Sequence, residues 1–183
     1  MGMRTILLLI VLQCYSLGAA EEKAKIEKAD RAMEAFQTAL RQELQSAMAK
    51  GGPVAAIVVC KEKAPQIAAR LSAEHGVQLR RTSLRERNPA NRPDAWERAT
   101  LEEFLREKAA GKPLAQISAK RQEGDRLRYM RPIGTQALCT VCHGTNVAPS
   151  LAAALKEHYP QDRATGFTDG DIRGAFSVGI PMR

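Results

Sequence analysis

The sequence is poor in cysteine, with four residues in 183, which is too few for a fold held together by disulfides. It also has no internal repeat, no low-complexity segment and no linker, so nothing in it marks a boundary between separate units. Hydrophobic residues make up 44% and charged residues 26%, a balance that excludes a disordered chain, a collagen and a multispan membrane protein. These absences leave one globular domain, or at most two small ones.

The first twenty residues have the pattern of a secretory signal. A short basic start is followed by the apolar run Ile6–Leu12, and small residues at 16–20 precede a charged sequence. We therefore expect residues 1–20 to be a signal peptide, residues 21–183 to form one domain, and the protein to be periplasmic. The alternative is an uncleaved membrane anchor. A spanning helix needs about 20 apolar residues, however, and Gln13 interrupts this run.

The chain carries an excess of positive charge. Lysine and arginine total 28 against 20 acidic residues, which gives a formal charge of +8. The predicted signal peptide holds one of these cations, Arg4, and no acid, so the mature chain has a charge of +7. Export argues against nucleic acid as a partner and favours an acidic protein or a bound anionic ligand. A membrane partner is expected only if the signal segment is retained.

The hydrophobic pattern predicts an α+β fold with an antiparallel sheet flanked by helices, the first of them long. Apolar residues recur every three or four positions from Glu21 to Lys50, and Gly51-Gly52-Pro53 ends this pattern. Periodicity does not assign the apolar run Val54–Val59 to a helix or a strand. The other predicted elements are a helix from Pro65 to Glu74, a strand from Val77 to Arg87, a helix from Trp96 to Ala110, two strands around Glu123–Asp125, an interrupted helix from Ala137 to Tyr159, a loop from Thr165 to Gly174 and a strand from Ala175 to Ile180.

Residues 139–143 read Cys-Thr-Val-Cys-His, a C-x-x-C-H motif, which is the attachment signature of c-type haem. On a helix, residues three apart share a face, so Cys139 and Cys142 can both form thioethers with one haem. His143 then reaches the iron from the same side. The motif predicts one covalently attached haem c, and the export signal agrees with it, because this attachment takes place outside the bacterial cytoplasm.

Two other chemistries use the same residue types. A C-x-x-C pair can be a redox dithiol, but the surrounding pattern lacks the βαβ context of thioredoxin-like proteins. A structural zinc site of Cys₃His composition would need Cys60 beside the motif. Zinc sites rarely place the histidine directly after the second cysteine, so the haem prediction is preferred.

The second axial position of the iron has several candidates. They are Cys60, His75, His158, a methionine of the mature chain, or no residue at all. Once the motif uses two cysteines, Cys60 has no disulfide partner within the mature chain. It can pair between chains, stay buried and inert, or bind iron, and the residues alone do not choose. The two histidines are more typical of surface positions, and Met130 and Met182 are weak candidates.

Six blocks of the sequence, in order, carry a resemblance to a known family. They are Ala56–Cys60 with Ala64-Pro65; Arg81–Ser83 with Arg87–Asn91; Pro93–Glu97; Tyr129–Ile133; Cys139–Gly144; and Tyr159-Pro160 with Asp162, Gly170 and Gly174. The chain resembles an exported bacterial and cyanobacterial family of c-type haem proteins with a PAS-like sensor fold, catalogued as a domain of unknown function. The resemblance covers almost the whole mature chain and is more specific than the haem motif alone.

The resemblance implies that His143 and Cys60 are the two axial ligands of the iron. It also implies a sensor of redox state or of a small ligand such as a diatomic gas. Because the chain holds no kinase or cyclase segment, its signal would pass to another protein by association. The alternative function is a low-potential periplasmic electron carrier. No catalytic constellation accompanies the motif, so we do not expect an enzyme.

A haem brings two propionates, and arginine is the residue best suited to pair with carboxylates. Four arginines near the motif on predicted strands or turns are candidates for these contacts. They are Arg81, Arg87, Arg128 and Arg131. The alternative for each is a place on a solvated basic face. The single tryptophan, Trp96, is expected to pack in the core rather than against the haem edge.

Overall fold

The protein has a four-stranded antiparallel sheet with helices on both faces, in the strand order β1-β4-β3-β2. The computed structural model describes the backbone of residues 3–182 and the side chains of residues 18–182. The helices are α1 (Met3–Val58), α2 (Ala64–His75), α3 (Ala95–Ala109), α4 (Ala137–His143) and α5 (Pro149–His158). The strands are β1 (Gln78–Thr82), β2 (Ala119–Glu123), β3 (Arg126–Gly134) and β4 (Ile172–Pro181). This confirms the predicted α+β fold and its long N-terminal helix.

The long helix α1 packs on one face of the sheet through its apolar stripe. Met33 and Phe36 are almost completely buried there, and the ring of Phe36 meets the ring of Phe176 of β4 edge-on at 5.6 Å. Helical geometry fails at Gly51 and at Gly52, whose φ of 69° suits a residue without a side chain. The helix resumes at Pro53. Proline suits the first turn of a helix, because the N–H groups there have no partner within the helix and proline has none to leave unpaired. The unassigned run Val54–Val59 therefore continues the helical path.

The opposite face of the sheet packs against α3, which begins with a capping box. Asp94 accepts from the N–H of Glu97 at 2.8 Å, and the Glu97 carboxylate accepts from the N–H of Asp94 at 3.0 Å. Glu97 is fully buried, and its charge is balanced by Arg80 of β1 at 2.6 Å. Leu101 and Phe104 of the same helix fill the second core.

Two strand boundaries differ from the prediction. The first strand was expected to reach Arg87 but ends at Thr82, where the N–H of Ser83 turns to the carbonyl oxygen of Asn91 instead of the sheet. Its last predicted arginines therefore lie in a loop. The last strand begins at Ile172, ahead of the predicted start, because a bulge at Arg173, opposite Ile133 and Gly134 of β3, lets the pairing continue.

The predicted signal peptide, residues 1–20, falls largely outside the residues whose side chains are described. Its identification therefore stays a prediction. Within residues 18–182, no helix is long and apolar enough to cross a membrane.

Candidate cofactor site

The helix that carries the motif, α4, is short and ends directly after the motif histidine. Cys139 and Cys142 lie three positions apart on it, and both thiols are half-buried. Gly144 leaves the helix with extended backbone while its N–H still donates to the carbonyl oxygen of Thr140 at 2.8 Å. A Cβ at position 144 would collide with that oxygen, so the close exit requires glycine.

The ring of His143 is fixed by the loop before β4. Its Nδ1 lies 2.7 Å from the carbonyl oxygen of Ala164, so Nδ1 carries the proton and Nε2 keeps a lone pair. Burial lowers the pKa of His143 to about 3, and the positive charges of Arg173 and Arg87 act in the same direction. The imidazole is therefore neutral at physiological pH, which is the form that binds a metal ion.

A buried ion pair between Arg87 and Asp162 stabilises the position of the His143 ring. The Nε of Arg87 lies 2.9 Å from Oδ2 of Asp162, and the two side chains are 9% and 11% exposed. The Nη2 of Arg87 also donates to the carbonyl oxygen of Cys142 at 2.6 Å. The other oxygen of Asp162 accepts from the N–H of Ala164 at 2.8 Å. The pair thus joins the motif helix to the loop that fixes the histidine ring.

Cys60 faces the same region from the other side of the site. It lies in a π-type turn, Val59–Lys63, in which the N–H of Ala64 reaches back five residues to the carbonyl oxygen of Val59. Such turns inside helices recur at functional sites. The half-buried thiol lines the same cavities as His143. The structure therefore brings the two predicted iron ligands to one place.

Cys60 and His143 line two adjoining cavities, of about 90 and 70 Å³. They share six lining residues, which are Cys60, Arg81, Arg87, His143, Tyr159 and Arg173. Apolar side chains of α1, α4 and α5 complete the larger cavity. It therefore combines an apolar wall, sulfur and imidazole donors, and several cations.

The positive charge of the site exceeds its negative charge. Neither Arg81 nor Arg173 has an ion-pair partner among the side chains that the structure describes. The Nε of Arg173 is buried and has no hydrogen-bond partner there. Burial lowers the pKa of Arg81 and the neighbouring Arg173 lowers it further, although Cys60 and Tyr159 act against this. Unpaired buried cations are costly. The donor set therefore fits a metal cofactor that brings carboxylates of its own, as haem does.

The two alternative chemistries fit less well. A redox dithiol needs a thiol of lowered pKa, whereas burial raises the pKa of Cys142, and its neighbours Cys60 and Cys139 raise it too, against the opposing charge of Arg87. Within residues 18–182, no three His, Cys, Asp or Glu side chains are grouped so that they could hold a metal ion by themselves. The residues described thus offer no ready zinc site.

Two of the four predicted propionate partners, Arg128 and Arg131, lie away from the cavities around His143. Arg128 pairs with Asp94 at 2.6 Å and stacks on the ring of Trp96, with 4.5 Å between guanidinium and ring centre. Arg131 pairs with Asp30 of α1 at 2.9 Å. Both are on β3, but each is paired with an acid of a neighbouring helix or its cap, and neither lines the cavities around His143.

The other candidates for the second iron ligand differ in whether they line the cavities around His143. His75 and His158 line neither cavity, Met130 is fully buried in the second core, and Met182 packs against the first core. Met48 does line the larger cavity, as part of its α1 wall.

Sequence reasoning missed Arg173 and Asp162 as members of the site. The pattern places Arg173 in the loop from Thr165 to Gly174, although the nearby apolar residues Ile172, Ala175 and Phe176 are consistent with a strand that carries a charged side chain into the site. Nothing in the sequence marks the pairing of Asp162 with Arg87, because those residues are far apart along the chain.

A model of the Tll0287-like protein family matches residues 17–181. The chain belongs to this family. A search of curated proteins found no match. Among solved structures, the chain is similar to the crystal structure of the cyanobacterial heme-protein Tll0287, with 26% identity and a TM-score of 0.65. The alignment covers 86% of this chain and 95% of that one, so the two share nearly the whole domain.

Proposed function

We propose that residues 1–20 export the chain and that residues 21–183 form a periplasmic monohaem c-type protein with a PAS-like fold. The protein senses redox state or a small ligand and passes the signal to a partner protein. The family relative is a haem protein, which supports the cofactor. The observation that carries the proposal is the meeting of the C-x-x-C-H helix, the Cys60 thiol and the partly buried, unpaired arginines Arg81 and Arg173 around one cavity.

Each residue of the site has a role in this proposal. Cys139 and Cys142 supply the two thioether bonds, and His143 supplies the Nε2 lone pair that the hydrogen bond to Ala164 leaves free. Cys60 supplies the second axial ligand. Arg81 and Arg173 bind the propionates, which satisfies the orphaned Nε of Arg173.

The bound haem supplies one-electron chemistry and an iron on which a diatomic gas can bind. The chain decides when that position is open. As a thiolate, Cys60 donates electron density and favours ferric iron, so we expect a reduction potential well below that of a His/Met protein. In a reduced protein, with one less positive charge beside the thiolate, Cys60 would take up a proton and move away. The site would then respond to both redox state and gas.

The decisive experiment compares optical spectra of the purified protein and Cys60→Ala in the ferric and ferrous states. We expect a thioether-linked haem with a ferric thiolate signature that is lost in the variant. Met48→Leu is the matched control, because it changes another cavity-lining sulfur without removing the thiol. Ferrous Cys60→Ala should also bind CO faster than the parent protein. Identical ferric spectra for Cys60→Ala and the parent would reject Cys60 as a ligand.

A periplasmic electron carrier is the second candidate function. It is favoured by two exposed apolar side chains on the motif helix, Leu138 at 41% and Val141 at 36%, on a chain with excess positive charge. Such a patch would suit docking to an acidic redox partner. Rapid electron exchange with a native cytochrome, sensitive to salt, would favour this function. Slow exchange that does not saturate would favour the sensor.

A further inference from the structure

A separate cavity lies on the α3 side of the sheet. It has a volume of about 420 Å³ and is enclosed by the C-terminal half of α3, the loop after β1 and the start of β4. This volume lies within the range of about 300–1,000 Å³ that is typical of small-molecule sites. Its walls are largely apolar, with Leu84, Leu101, Leu105, Phe167 and Ile172 among them. Leu105 is 43% exposed, so the apolar lining reaches solvent at the cavity mouth.

Positive charge surrounds this apolar space. Arg85, Lys108 and Arg173 all line it, and Asp171 is the acidic residue among the lining side chains. Oδ2 of Asp171 accepts from the N–H and the hydroxyl of Thr168 at 2.6 and 2.9 Å, and these bonds lower the pKa of the Asp171 carboxyl, with smaller contributions from the charges of Lys108 and Arg85. The cavity therefore presents three cations against one anion.

Two of these cations have no carboxylate partner, and Arg85 is held in place by other contacts. The guanidinium of Arg85 stacks over the ring of Phe167 with 4.4 Å between its carbon and the ring centre, and it donates to backbone carbonyl groups of Arg163 and Thr165. The buried Nε of Arg173 has no hydrogen-bond partner among the described residues. An anion entering the cavity would meet an ordered cationic rim and would not need to order it.

Arg173 also lines both cavities around His143. Ser83, Arg85 and Gly174 are likewise shared between this cavity and the smaller cavity beside His143. The two cavities therefore adjoin at the loop after β1 and the start of β4. A charge placed on one side of Arg173 acts on the other side as well, since little solvent separates them.

We propose that this cavity binds a small organic carboxylate with an apolar body, and that Arg173 transmits its occupancy to the cofactor site. The carboxylate pairs with Lys108 and Arg85, and the apolar body fills the space between Leu101 and Phe167. Binding itself is independent of the proposed function, whereas the transmission to the cofactor rests on it. The protein would then respond to a metabolite-like acid as well as to redox state.

The test uses calorimetry on the purified full protein with 2-naphthoate as the probe and its uncharged amide, 2-naphthamide, as the matched ligand. We expect the carboxylate to bind about tenfold more tightly than the amide, because a charge-assisted pair is lost in the amide. Lys108→Gln should weaken the carboxylate by about five- to tenfold and leave the amide unchanged. Ala109→Phe, which places a ring at the cavity wall, should abolish binding of both.

Arg106→Gln is the control variant, because Arg106 is on the same helix but pairs with Glu103 at the surface and lines no part of the cavity. It should bind the probe like the parent protein. Absence of binding at millimolar 2-naphthoate, or equal binding by Ala109→Phe, would overturn the site. Transmission is read separately as a probe-dependent shift of the haem spectrum. A protein that binds the probe without any such shift would retain the site and refute the transmission, and a protein without haem would refute the proposed function alone.

Discussion

Arg87 and Asp162 form a buried ion pair, 2.9 Å from Nε to Oδ2, that connects the motif helix to the loop contacting the His143 ring. The arginine holds the carbonyl oxygen of Cys142 in the motif helix, and the aspartate holds the N–H of Ala164. The carbonyl group of Ala164 in turn fixes the ring of His143. The orientation of His143, the candidate iron ligand, therefore depends on Arg87 and Asp162, neither of which is proposed to bind the iron.

The ion pair gives the first prediction. Asp162→Asn leaves the guanidinium of Arg87 buried without a counter-charge, so we expect a loss of about 3 kcal/mol in the free energy of unfolding. The haem content of the purified protein should fall as well. Chemical denaturation and the haem-to-protein absorbance ratio measure the two effects.

Glu103→Gln is its matched control. It makes the same charge change but breaks the exposed pair with Arg106, in which both side chains are more than half exposed. This change should cost less than about 1 kcal/mol. Similar losses for the two variants would contradict the role of Asp162.

The second prediction concerns Gly144. A Cβ at this position would overlap the carbonyl oxygen of Thr140, so Gly144→Ala must displace the end of the motif helix. We expect a destabilisation of about 2 kcal/mol and a lower haem content. Gly179→Ala serves for comparison, because a Cβ there meets the side-chain oxygen of Gln78 at an ordinary 3.4 Å. A Gly144→Ala protein as stable as Gly179→Ala would show that the helix end adapts without strain.

The third prediction concerns the capping box of α3. Burial alone would raise the pKa of Asp94, but hydrogen bonds from Glu97 and Arg128 outweigh it and leave the pKa below the ordinary 3.8. Asp94→Ala should therefore cost about 1 kcal/mol at pH 7. The unfolded chain takes up this proton first as the pH falls, so the contribution is present above pH 3.8 and is lost below it.

Denaturation of the parent protein and Asp94→Ala at pH 7 and pH 3 checks the direction of this effect. The difference between them should shrink at pH 3. Asp169→Ala, an exposed aspartate in the loop before β4, should match the parent at both pH values. A difference between the parent and Asp94→Ala that grows at low pH would contradict the assignment.

The fourth prediction concerns Arg173. A cation beside the haem favours the reduced iron, so Arg173→Gln should lower the reduction potential by roughly 30–60 mV, where 59 mV is a tenfold change for one electron. Spectroelectrochemical titration measures it. Arg163→Gln removes an equal charge from an exposed loop position that lines none of the cavities near His143, and it should leave the potential almost unchanged. Equal potentials for the two variants would place Arg173 away from the haem.

Several elements were predictable because their signals are local. The stripe of α1, the helix predicted from Trp96 to Ala110 and the turn at Gly124 each depend on residues a few positions apart, and the structure confirms all three. The break at Gly51-Gly52 was also visible in the sequence. The helix beyond it was not, since a run of six apolar residues has no period that separates helix from strand.

The arginines show where local signals end. Four of them met the same description in the sequence, a basic residue on a predicted strand or turn near the motif. Arg81 and Arg87 line the cavities, whereas Arg128 and Arg131 are held by acids of α3 and α1. Ion pairs between separate elements join residues that are far apart along the chain. A sequence pattern therefore does not show which acid lies close to a given arginine.

The sequence by itself determined the chemistry of the motif, because Cys139, Cys142 and His143 are adjacent on one short helix and need no other element to define them. Only the tertiary structure decided which distant groups join them. The packing of α1 and α2 on the sheet carries Cys60 to the cavity, and a bulge in β4 places its extra residue, Arg173, there as well. The physical reason is that burial of apolar faces fixes where whole elements lie, and their polar side chains meet as a consequence.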